Sequence, residues 1–179
     1  MVTRVAWFVA CAVVFVLSPL PAAAQSAKSA AAVKALTQAL DAAKLDAIAA
    51  PDPADPTSFV AALYISGAQL MVVSAKYSAP PLLVAKIKTK EYRDVYIDLS
   101  SAAVAGSKTF IIDFNCNGLL SKTEDNGAPD TWETDKQQLA FDGDWRKAKL
   151  SEADYMKTYS DADDRYTKLI ELLAAQVKR

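Results

Sequence analysis

Apolar residues recur at every third and fourth position through residues 27–50, where Val33, Leu36, Leu40, Ala43 and Ala47 fall on one stripe. The pattern predicts an alanine-rich amphipathic helix. The run Pro51-Asp52-Pro53-Ala54-Asp55-Pro56 stops it, as a stiff linker or an ordered turn. The pattern then changes to one of strands. Residues 59–65 and 70–77 are rich in β-formers, and Ser66-Gly67 between them suits a hairpin turn. Residues 82–91 fit two elements: Pro81 with Leu83 and Ile87 at helical spacing favours a helix, and the alternation through 86–90 favours a strand. Residues 93–99 alternate as a strand, with Val95, Ile97 and Leu99 on one side. Residues 108–114 predict another, with Phe110, Ile112 and Phe114 inward. A polar loop over 115–135 and a short strand over 136–141 follow.

The chain then reads as one long helix. Ser151 and Asp154 are spaced as a capping pair, and Tyr155, Tyr159, Ala162, Tyr166, Leu169 and Leu173 make a helical stripe. Its tyrosines are expected to pack the helix on the sheet with their hydroxyls near solvent. The sum is an α+β fold: a mostly antiparallel sheet of four or five strands, or a small barrel, flanked by an N-terminal and a long C-terminal helix.

Composition places and limits this domain. Arg4, the apolar run 5–17 and Ala22-Ala23-Ala24 have the layout of a secretory signal peptide over residues 1–24. The remainder, 25–179, suits a single exported domain, periplasmic or secreted, with no further membrane span. Cys11 leaves with the signal, so Cys116 remains alone and no intramolecular disulfide can form. The chain has no histidine, which removes histidine general bases, Ser-His-Asp and Cys-His catalysis, and HExxH zinc chemistry. A net charge of −1 argues against a nucleic-acid binder, which would show a basic face. What remains is a non-catalytic binding or structural module, whose partner, a protein or a small-molecule ligand, the sequence does not identify.

One stretch carries candidate chemistry. "DFNCNGLLSKTE", residues 113–124, places oxygen donors at Asp113, Asn115, Asn117, the Leu119 carbonyl, Ser121 and Glu124, with Gly118 at the sharp turn. The match to D-x-[DN]-x-[DN]-G-x5-E is complete, so the stretch resembles an EF-hand-type calcium loop. The flanks differ from that family: a strand enters the loop, and Asn126-Gly127 and Pro129 leave no room for an exit helix. Only Asp113 and Glu124 of the six ligands are anionic, which implies weak Ca2+ binding. Residues 113–135 hold six acidic side chains against one lysine, so a cation would relieve the loop's own repulsion. The alternative is a solvated acidic loop built on Asn-Gly turns.

A second resemblance lies in "FVAALYISGAQLMVVSAKYSAP", which is similar to the opening hairpin of pyridoxamine-phosphate-oxidase-like split barrels. It implies an FMN site with Lys76 and Ser78 on the phosphate, although these strands carry no arginine. "AFDGDWRKAKLSEADYMKTYSDADDRY" resembles the tail of uncharacterised exported bacterial proteins and implies no activity. Asp94 and Asp98 lie about 13 Å apart along their strand. That is wider than the roughly 10 Å limit for paired glycosidase carboxyls.

Overall fold

The computed structural model describes residues 28–52, 55–76, 108–119 and 128–178. Helix α1 (Ala30–Ala43) leads into strands β1 (Ala47–Asp52), β2 (Asp55–Ile65), β3 (Gln69–Lys76), β4 (Lys108–Phe114), β5 (Thr131–Thr134) and β6 (Gln138–Ala140), and helix α2 (Glu152–Val177) ends the chain. The six strands form one antiparallel sheet in sequence order. Among the described residues the sheet is open, with β1 and β6 at its ends, and the architecture is α+β. The expected elements at 82–91 and 93–99, the expected signal peptide over 1–24 and Ser78 lie outside the described residues. Among the described residues no helix is long and apolar enough to cross a membrane.

The first helix is shorter than its apolar period suggests. Lys44 adopts the left-handed conformation (φ 55°), its N–H bonds the Asp41 carbonyl, and the Leu45 N–H bonds the Leu40 carbonyl at 2.9 Å. This is a Schellman stop, made here without glycine. Ala47 therefore belongs to β1 and not to the helix, and pairs with Leu63. Alanine's small side chain suits either state, so pairing with β2 and burial beside Ala61 and Leu63 decide. Pro51, read as part of a linker, sits at the end of β1 opposite Phe59, next to a register shift.

The β2–β3 hairpin turns where expected: the Ala68 N–H bonds the Ile65 carbonyl at 2.9 Å, and Gly67 supplies the positive φ. Strand β4 exists as predicted but faces the other way. Ile111 and Asp113 are fully buried on the helix side, and Phe110 packs in a second cluster with Ala61, Leu63 and Val73 on the opposite face. Pairing explains the reversal. Ile111 stands opposite Val72, which stands opposite Ala62, so the register of the β2–β3 hairpin fixes the face of β4. The "polar loop" contains β5, whose Trp132 extends the same row between Ile111 and Leu139.

Both helices cover that face. The α1 stripe of Val33, Leu36 and Leu40 meets the α2 stripe of Tyr155, Tyr159, Ala162, Tyr166, Leu169 and Leu173, all buried. Phe141, just after β6, makes edge-to-face contacts with Tyr155 and Tyr159 at 6.0 and 5.3 Å. Ser151 caps α2 as the sequence suggests, its hydroxyl oxygen accepting from the Asp154 N–H at 3.1 Å.

Candidate functional site: a carboxylate-centred loop joined to both helices

At the end of β4 the chain coils tightly. Asn115 (φ 65°), Cys116 (φ 54°) and Gly118 (φ 92°) all take positive φ within four residues. Asparagine and glycine tolerate this conformation, and cysteine does so only where its surroundings hold it there. Two anchors do so. The Asn115 N–H bonds the Ala68 carbonyl of the neighbouring hairpin at 3.0 Å. The coil also closes over the Asp113 carboxylate, whose Oδ1 accepts from the Asn117 N–H at 3.1 Å and Oδ2 from the Gly118 N–H at 3.0 Å. Tyr166 of α2 donates its hydroxyl to the same Oδ2 at 3.0 Å. Asp113 is fully buried, so these bonds replace the water an exposed carboxylate would have.

A second carboxylate braces the strand side. Asp130 is also fully buried, and its Oδ1 accepts from the Phe114 N–H at 2.8 Å. Its carbonyl accepts from the Phe141 N–H at 2.8 Å, so one residue ties β4 to the chain leaving β6.

Asp163, 2% exposed near the middle of α2, serves the start of α1. It accepts from the Lys28 N–H at 2.7 Å and from the Ser29 N–H at 3.2 Å. Ser29, the N-cap position, makes no capping bond with its own side chain. Its hydroxyl instead donates to Asp163 Oδ1 at 2.6 Å and accepts from the Leu119 N–H at 2.9 Å. An anion thus sits on the two amides just before α1, where the helix dipole favours one, but it is supplied by another helix. The Leu119 carbonyl accepts from the Tyr159 hydroxyl at 2.8 Å. The loop is therefore held between α1 and α2. Gly118 shows how closely: a Cβ there would lie 2.6 Å from the Ala30 backbone nitrogen.

The hydroxyls expected near solvent are consequently buried donors and acceptors. Tyr155 accepts from the Gly143 N–H at 3.0 Å, and Tyr159 and Tyr166 donate into the loop. Burial, reinforced by the nearby carboxylates, pushes all three above the ordinary phenol range, Tyr166 most clearly. Burial and the Asp113 charge push the half-buried Cys116 thiol up to about 12. Such groups stay protonated at neutral pH, and a thiol in this state is a poor nucleophile.

The candidate calcium ligands divide accordingly. Asp113, Asn115, Asn117 and Leu119 are brought into one turn, and Ser121 and Glu124 lie outside the described residues. Among the described residues no group of three or more His, Cys, Asp or Glu side chains converges to hold a metal. A groove of about 580 Å³ between α1 and α2 is lined mainly by Ala31, Ala32, Ala35, Ala174 and Ala175. Sequence reasoning missed Ser29 and Asp163. The available signal was an aspartate at helical spacing from Tyr159, Tyr166 and Ile170, on a face otherwise apolar. Comparison with protein-family models, with curated proteins and with solved structures returns no match.

Proposed function

We propose that the protein is a small exported module without catalytic chemistry of its own, whose loop at 113–124 binds calcium. The observation that carries this reading is the coil over Asp113. The first seven loop positions bend back on that carboxylate through Gly118, as a loop presenting successive oxygens to one cation requires. Asp113, Asn115, Asn117 and the Leu119 carbonyl would supply oxygens from the described turn, and Ser121 and Glu124 would complete the set. A divalent cation would also offset the repulsion between Asp113 and Asp130, both buried against this turn. The non-catalytic part of the reading rests on where the reactive groups are. Asp113, Asp163, Ser29, Tyr159 and Tyr166 are buried and bonded to backbone or to one another.

Terbium luminescence tests the site, because Tyr166 and Tyr159 touch the loop and can sensitise a bound lanthanide. We expect a saturable signal, displaced by calcium, with calcium affinity in the range of about 10⁻⁴ to 10⁻³ M seen for extracellular modules. Glu124→Gln should abolish it. Calcium at a hundredfold excess over Kd should add about 2.7 kcal/mol to stability. A terbium signal no greater than for free tyrosine, with identical melts in calcium and EDTA, would make the stretch a hydrogen-bonded turn and nothing more.

A further inference from the structure

Residues Asn117 and Gly118 form the dipeptide most prone to spontaneous deamidation, because glycine leaves the attacking nitrogen unhindered. In the reaction the Gly118 nitrogen attacks the Asn117 side-chain carbon. A new C–N bond forms, the bond to the side-chain nitrogen breaks, and ammonia departs with the proton that the Gly118 nitrogen gives up. Water then opens the succinimide to aspartate or isoaspartate at position 117.

Three features of the fold oppose this. The Gly118 N–H is engaged with Asp113 Oδ2 at 3.0 Å, and a carboxylate facing a nitrogen disfavours loss of its proton. Ring closure must turn the peptide plane between Asn117 and Gly118, yet Gly118 is wedged on α1, where even a Cβ would come within 2.6 Å of the Ala30 nitrogen and 2.9 Å of Ser29 Oγ. The next amide, Leu119 N–H, is fixed to Ser29 Oγ at 2.9 Å.

We infer that Asn117–Gly118 is a conditional modification site: the contact between the loop and α1 protects it from succinimide formation, and opening of that contact exposes it. The product does not return to the closed state. Isoaspartate lengthens the backbone by a methylene between positions 117 and 118, so Gly118 no longer meets both Asp113 and Ala30. Either product adds a negative charge beside Asp113. The modification therefore records past opening of the loop, and it stands independently of whether calcium binds there.

The experiment is peptide mapping by mass spectrometry of the protein held at 37 °C and mildly alkaline pH, in native buffer and in urea. Asn126–Gly127, the second such dipeptide, supplies the intrinsic rate in urea. Modification at Asn117 should be at least about tenfold slower in native buffer than in urea. Ser29→Ala, shown to be folded by circular dichroism, should raise the native rate at Asn117. Equal rates at Asn117 in native buffer and urea would overturn the proposal. A folded Ser29→Ala protein as slow as the parent would overturn the assignment of protection to the contact with α1.

Discussion

Ser29 donates its hydroxyl proton to Asp163 Oδ1 across 2.6 Å, although 134 residues separate them. The bond places the N-terminal cap of one helix on the buried face of another. It also frees the Ser29 oxygen to accept from the loop at Leu119.

This arrangement makes Asp163 more consequential than an ordinary cap. Its replacement by alanine leaves the buried Ser29 amide and hydroxyl, and the part-buried Lys28 amide, without their acceptor. Asp163→Ala is expected to cost about 3 kcal/mol, at the upper end for a lost buried acceptor. Ser29→Ala should cost about 1–2 kcal/mol. Urea unfolding measures both. The exposed pair Lys28–Asp164, at 2.8 Å, should contribute little when Asp164 is replaced.

Two glycines provide a contrast in cause. Gly67 and Gly118 both have positive φ, but a Cβ at Gly67 meets nothing within 4 Å, whereas at Gly118 it meets the backbone of α1. Gly67→Ala should cost only the left-handed strain, about 1–2 kcal/mol. Gly118→Ala should cost clearly more and should loosen the first turn of α1, which hydrogen exchange of the Val33 amide would report. Equal losses at the two sites would mean the contact with Ala30 contributes nothing.

The tyrosine hydroxyls should differ by acceptor. Tyr166 donates to a carboxylate and Tyr159 to a carbonyl. Removal of the first leaves a buried charge short of a donor. Tyr166→Phe should therefore cost about 1.5–3 kcal/mol and Tyr159→Phe about 1 kcal/mol. Chemical denaturation of the two variants side by side distinguishes them.

Alkaline pH should unfold the protein in two stages. Cys116 has a folded value raised to about 12, so its contribution is full below the ordinary thiol value near 8.5 and is lost as pH rises toward 12. Tyr155, Tyr159 and Tyr166 are also raised, so theirs is full below about pH 10 and is lost above it, as the unfolded chain ionises first. Each proton contributes a slope of at most about 1.4 kcal/mol per pH unit. Cys116→Ser should remove the part of the decline between pH 8.5 and 10 and leave the steeper part. A stability profile flat to pH 11 would contradict the burial of these groups.

Much of the framework is legible in the residues. The α2 stripe, its Ser151 cap, the Ser66-Gly67 turn and strands β2, β3 and β4 all follow from local period and turn chemistry. The tight turn at Gly118 is legible for the same reason, since the spacing of Asp113, Asn117 and Gly118 is short-range. Two of the errors fall where two local readings are nearly equal in energy. Ala47 fits helix or strand, and Phe110-Ile111-Ile112 is apolar on both faces, so its alternation does not specify which side is inward.

The sequence by itself determined the α+β class, most element positions, the absence of histidine chemistry and the oxygen-rich loop, because each depends on residues within about two turns or one hairpin. Only the tertiary structure decided which face of β4 is buried, because register against β3 sets it. Only the tertiary structure joined Asp163 to Ser29, Tyr166 to Asp113 and Gly118 to Ala30. Those pairs lie 53 to 134 residues apart, on separate elements. No local period encodes them; they form because buried polar groups must find partners wherever packing brings them together.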